Sequence, residues 1–176
     1  MPRVDAASAR CFVYSYKEGV LARLAHDLKL EVRSVTVTVD DGGMPTSVRL
    51  DPSSIEIVCQ MENGAEKPGG FSDADRRKIL ENLRGDVLAV KKHPAIAFDV
   101  TSIEPQGTGH RVRGRLSLHG RTRDLDVSTR REGDREVAEV TLHQPDYGIA
   151  PFSAMLGALK VKADVLVRFD VRVSDD

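Results

Sequence analysis

Residues 159–174 read LKVKADVLVRFDVRVS, and their alternation decides the fold. Leu159, Val161, Ala163, Val165, Val167, Phe169, Val171 and Val173 fall on one side of an extended chain. Lys160, Lys162, Asp164, Arg168, Asp170, Arg172 and Ser174 fall on the other, and only Leu166 breaks that polar row. Successive side chains of a strand point to opposite faces, so a period of two means one buried face and one wet face. At ~3.3 Å per residue the run would span roughly 50 Å as a single strand. Strands that long occur in strongly curved sheets. Closing the sheet into a barrel supplies the curvature and removes the edges.

The same alternation recurs upstream. Leu28, Leu30 and Val32 form one apolar row, and Val35, Val37 and Val39 form the next, out of phase by one residue. The slip at Arg33-Ser34 predicts a β-bulge. Asp40-Asp41-Gly42-Gly43 is a turn, and residues 47–50 and 54–61 read as further strands. Residues 95–103 carry Ile96, Phe98 and Val100 on one side. Residues 111–119 carry Val112, Gly114, Leu116 and Leu118 on one face and arginines on the other. Residues 122–131 and 136–143 complete another hairpin. Residues 72–92 differ: Ile79, Leu80, Leu83, Val87 and Leu88 recur at helical spacing behind an N-cap serine, Ser72, and the acidic first-turn pair Asp73 and Asp75. Gly85 is expected to divide this stretch into two short helices, with Pro94 ending the second. The expected fold is therefore mainly β: one domain over residues 1–176, about eight antiparallel strands with a short helical insert, a pattern that fits a barrel or a sandwich and, given the long last run, a β-barrel first.

Composition narrows function. The chain has 176 residues, enough to bury a core without a metal or disulfide staple. Lys and Arg total 26 against 27 Asp and Glu, and aromatics make up 5% with no Trp. That balance offers neither the basic groove nor the stacking platform of a nucleic-acid binder. No segment approaches the ~20 apolar residues of a membrane helix, so no stable membrane insertion is expected. Residues 1–16 lack the apolar core of a signal peptide, which predicts a cytoplasmic protein, or a periplasmic one if the chain is a processed form. Cys11 and Cys59 read as two reduced core thiols. No nucleophile elbow, HExxH or phosphate loop is present, so no enzyme activity, metal or cofactor is expected.

Several stretches, taken in order, resemble the YceI-like family. They are Arg23-Leu24-Ala25-His26-Asp27-Leu28, Ile55-Glu56-Ile57, residues 72–79, His93-Pro94-Ala95-Ile96-Ala97-Phe98, residues 112–122, and Pro145-Asp146-Tyr147-Gly148-Ile149. Asp75-Arg76-Arg77-Lys78-Ile79 departs from the family's frequent Arg-Asp-x-His-Leu stretch. The resemblance implies an extended lipocalin-like barrel holding an amphipathic long-chain lipid such as a polyisoprenoid, and often a dimer.

The candidate ligand contacts are His26, Phe98, Val112, Leu116, Leu118, Tyr147, Phe152, Val161, Val165 and Phe169. The apolar members either line a cavity or fill a core; the small residues Gly114 and Ala163 would leave room. His26 and Asp27 are neighbours on a strand, so one faces the interior and the other solvent, serving either a ligand head or a structural hydrogen bond. Tyr147 either closes a cavity or anchors a buried turn. By parity His119 joins the arginine row at the surface, with Gly120 supplying a positive φ. His93 packs at a junction, and His110 and His143 look solvated at strand ends. Cys59 alternates with apolar neighbours and reads as core. The clusters Arg76-Arg77-Lys78 and Arg111, Arg113 and Arg115 either meet a phosphate or are solvated faces. Three functions compete: a carrier or sequestering protein for an isoprenoid or fatty-acyl ligand, a protein-interaction domain such as a homodimer touching through Leu166, and an enzyme on a hydrophobic substrate.

Overall fold

The computed structural model describes residues 3–19 and 26–175. Arg23, Leu24 and Ala25 of the first family-like stretch lie outside the described residues. The chain is mainly antiparallel β. Its strands are β1 (Arg3–Ser15), β2 (Lys17–Glu18), β3 (Asp27–Val32), β4 (Val35–Val39), β5 (Pro45–Leu50), β6 (Ile55–Glu62) and β7 (Ala65–Lys67). After the helix α1 (Asp73–Asn82) come β8 (Ile96–Gln106), β9 (Gly109–Leu118), β10 (Arg121–Glu132), β11 (Arg135–His143), β12 (Ser153–Ala154), β13 (Leu159–Val161) and β14 (Asp164–Ser174).

Eleven strands form one sheet in the order β4-β5-β8-β9-β10-β11-β14-β1-β3-β6-β7, and β12-β13-β2 form a small second one. The large sheet curls until the β4–β5 turn meets the start of β1, where the Val4 N–H donates to the Gly43 carbonyl at 3.0 Å. That contact is one bond and not a ladder. The pairing continues past β1 into β3, β6 and β7. The closed eight-stranded barrel expected from periodicity is thus replaced by an eleven-stranded sheet wrapped on itself.

Two corrections explain the difference. The slip at Arg33-Ser34 is no bulge within one strand. It is a break: β3 pairs with β1 and β6, whereas β4 pairs with β5. The run from Leu159 also breaks, at Lys162-Ala163. β13 joins Lys17 and Glu18, while β14 lies between β1 and β11. Hydrogen bonds from Gln144 N–H to the Ala163 carbonyl (2.8 Å) and from Lys162 N–H to the Tyr16 carbonyl (2.8 Å) hold the break.

The first strand, β1, has no counterpart in the sequence reading. Its register against β14 shifts between Asp5 and Arg10, so four residues of β1 oppose Val171 alone. The insertion flips parity, and both Val4 and Cys11 face inward. Outside, the arch is pinned by the Arg172 N–H donating to Ser8 Oγ (2.7 Å) and by Asp170, 1% exposed, which accepts from Arg10 Nε (3.0 Å) and from Arg135 Nε.

The helical insert follows its N-cap. Ser72 Oγ accepts the Asp75 N–H at 3.0 Å, as the sequence predicts. Gly85 does not divide it. The helix runs on into a widened turn over Leu83–Val87, closed by the Leu88 N–H reaching back five residues to the Leu83 carbonyl (2.8 Å). That turn carries Leu83, Val87 and Leu88 over the inner face of the sheet.

Asp170 is a buried charge hydrogen-bonded by the guanidinium groups of Arg10 and Arg135, with that of Arg168 3.9 Å away. Asp170→Ala should destabilise the protein by about 3 kcal/mol, because both arginines keep their charge and lose its partner. The check is a lowered urea midpoint with an unchanged slope.

Candidate functional site

The inner faces of the sheet and of the helical insert enclose one cavity of about 490 Å³. That volume lies within the usual range of ligand pockets. Its wall is built by parity. β9 contributes Val112, Leu116 and Leu118; β10 contributes Leu125 and Val127; β11 contributes Ala138, Val140 and Leu142; β14 contributes Val165, Val167, Phe169 and Val171. The ten candidate residues His26, Phe98, Val112, Leu116, Leu118, Tyr147, Phe152, Val161, Val165 and Phe169 all line it.

Gly114 does not leave free room. A Cβ there would stand 2.6 Å from Phe98 Cζ and 2.4 Å from the Asp99 carbonyl, so the glycine seats the Phe98 ring against the neighbouring strand. Ala163 sits in the break before β14 and is not in the wall.

At the end of the cavity where β9 and β11 finish, the polar lining residues include Ser15, His26, Gln144, Tyr147 and Lys160. His26 packs its ring edge-on against Phe71 with centroids 4.9 Å apart, and its buried Nδ1 has no hydrogen-bond partner among the described residues. Asp27 points the other way and accepts the Lys17 N–H at 2.7 Å, so the opposed pair sorts as strand geometry requires. Gln144 donates from Nε2 to the Lys162 carbonyl (3.1 Å). Tyr147 is 4% exposed, and burial raises its phenol pKa, keeping the hydroxyl protonated as a donor.

The opposite end holds a group the sequence reading placed in solvent. His110, at the start of β9, is 9% exposed and faces the cavity with Thr129 and Glu136. His110 Nδ1 lies 2.6 Å from Glu136 Oε1, which also accepts from the Thr129 hydroxyl. The His110 backbone N–H donates to Thr129 Oγ1 at 2.8 Å. Parity could have found this group: His110 shares its face with Val112, and Glu136 shares its face with Ala138 and Val140.

The other singled-out residues stand apart. His143 is half exposed and bonded to Asp164 at 2.6 Å. His119 itself adopts φ 53°, with Gly120 at 77°, and its ring lies 4.3 Å from that of His93, so it is half-buried rather than free at the surface. Cys11 is core, its thiol pushed up to about 12 chiefly by burial. Cys59 is not core: it pairs opposite Lys29 on the outer side, beyond the register shift between β3 and β6. Arg111 and Arg113 share Asp126, Arg115 lies 3.5 Å from Asp124, and Arg76 donates to the Ile57 carbonyl (2.8 Å), so these four arginines already have partners. Leu166 is part-buried beside Tyr14 and Tyr16. Among the described residues no group of three or more His, Cys, Asp or Glu could hold a metal, and no helix is long and apolar enough to cross a membrane.

An antiparallel sheet wrapped around an apolar cavity defines a lipocalin-like fold. Within that class the chain belongs to the YceI-like domain family, which matches residues 7–173. Solved structures agree on the fold. Burkholderia cenocepacia BcnA superposes with a TM-score of 0.63 at 15% identity, covering 97% of this chain and 99% of that one. A polyisoprenoid binding domain from Saccharophagus degradans gives 0.60 at 13% identity, covering 98% and 97%. The YCEI protein of Campylobacter jejuni gives 0.57 at 12% identity, covering 85% and 86%. No curated protein matches the chain.

Burial, and then the neighbouring His93, lower the His119 pKa from the ordinary 6.5. The unfolded chain therefore takes up this proton first, and stability falls as pH drops below about 6.5. His119→Asn, which tolerates the positive φ, should flatten that loss. The check is the pH dependence of the denaturation midpoint for the two proteins.

Proposed function

We propose that the protein binds and carries, or sequesters, an amphipathic hydrophobic molecule of isoprenoid or fatty-acyl type inside the cavity. The observation that carries this reading is the cavity itself: about 490 Å³, walled almost entirely by aliphatic and aromatic side chains, with polar groups gathered at its two ends. A solid core would be filled at crystal-like density and would offer no such space. The polyisoprenoid binding domain among the structural neighbours supports the same reading by analogy of fold.

The energetics suffice. Each CH₂ taken from water contributes roughly 0.8 kcal/mol, so ten contribute about 8 kcal/mol before the entropic cost of association. Apolar contact alone reaches micromolar affinity. The few polar groups then govern which ligand is preferred more than how tightly it is held.

Native mass spectrometry of the purified protein, followed by organic extraction, tests the carrier role. The expected outcome is an added mass that leaves with solvent, or one that appears on addition of prenols, fatty alcohols or fatty acids. A protein that stays apo with every such addition would overturn the carrier reading in favour of an interaction domain.

A further inference from the structure

The charges of the cavity are segregated. Glu136 and Lys160 are the cavity-lining residues of fixed charge among those described, and they lie at opposite ends. Lys160 has Glu18 3.8 Å away. Among the described residues no lysine or arginine pairs with Glu136; its Oε1 is met by the His110 ring at 2.6 Å and by the Thr129 hydroxyl. Its Oε2 and His110 Nε2 make no hydrogen bond to a described residue. A carboxylate only accepts, and an imidazole that gives its Nδ1–H to a carboxylate presents Nε2 as an acceptor when neutral. This end of the cavity therefore offers acceptors inside a negative local field. It rewards a head group that donates a hydrogen bond and penalises an anion. An ammonium head fits less well, because taking a second ion out of water into an apolar cavity costs about as much as its attraction to Glu136 returns.

We infer that His110, Thr129 and Glu136 form a head-group subsite for a long-chain alcohol, whose hydroxyl donates to Glu136 and whose chain runs along the apolar wall toward His26. The subsite excludes long-chain carboxylates and phosphorylated heads. This inference rests on the carrier reading above and adds the chemistry of the ligand's polar end.

The test uses the full chain, stripped of lipid, at a pH where carboxylic acids are ionised. Dodecane, dodecanol, dodecanoate and dodecylamine are titrated in parallel and read by native mass spectrometry. Dodecanol should bind about tenfold more tightly than dodecane, and dodecanoate at least about tenfold more weakly than dodecanol. Glu136→Gln keeps the shape and removes the charge. It should bring dodecanoate to within about threefold of dodecanol, while Lys160→Gln leaves their ratio unchanged. If the Glu136→Gln variant does not fold, the wild-type ranking still decides. Equal binding of dodecane and dodecanol, dodecanoate as tight as dodecanol, or dodecylamine tighter than either overturns the subsite while leaving the carrier intact. Failure of all four to bind overturns the carrier reading and the subsite with it.

Discussion

The structure depends on one constraint: a single apolar face must remain the inner face along a sheet that curls through eleven strands. Because the period of a strand is two, any inserted residue turns the rest of that strand inside out. The sheet cannot wrap without such insertions, so each one has to be compensated locally. In β1 the compensation is explicit. The arch between Asp5 and Arg10 moves the inward set from Val4 to Cys11, and the outer side of that arch is clamped through Ser8, Arg10, Arg135 and Asp170. A buried ion cluster is a weak source of net stability but a strong penalty against alternatives. Here it penalises the register in which Cys11, Val13 and Ser15 would face solvent.

The same constraint explains what happens where strands end. At the break between β3 and β4, and again between β13 and β14, the chain changes partners instead of bending through a bulge. The helical insert answers the remaining gap. Its inner side sets Ile79 and Leu83, and then Val87 and Leu88 from the widened turn, against the core residues of β3, β6 and β9.

Much of this was legible in the sequence, and the failures have physical causes. The rows of β9, β10, β11 and β14 were readable because each keeps one phase and has one wet face. β1 was not, because its arch breaks the phase and its inner residues, Cys11 and Ser15, are not the aliphatic residues that mark a strand. Cys59 misled for the opposite reason: it sits among apolar neighbours, yet a register shift puts it outside. The two breaks look like strand continuations because local alternation says nothing about which partner a strand chooses. The inward rows of β9 and β14 were found by parity, and His110 was lost by abandoning parity. A histidine near a turn invites a solvated reading, although its index is even, like those of Val112, Leu116 and Leu118.

That last case shows how affinity and choice separate in such a protein. The apolar wall is assembled from many side chains, each replaceable by another of similar volume at a cost of about 1 kcal/mol. It sets how much chain is buried, and any sufficiently long hydrocarbon satisfies it. The polar ends hold only a few groups, and there a mismatch leaves a buried donor or charge unpaired at a cost of roughly 1–3 kcal/mol. Relatives at 11–15% identity share the wrap of the sheet because only parity has to persist. A single inward position such as Glu136 can change the head group accepted without touching that pattern. The apolar wall therefore bears on the carrier role proposed above, and the ends of the cavity bear on the head group such a carrier would accept.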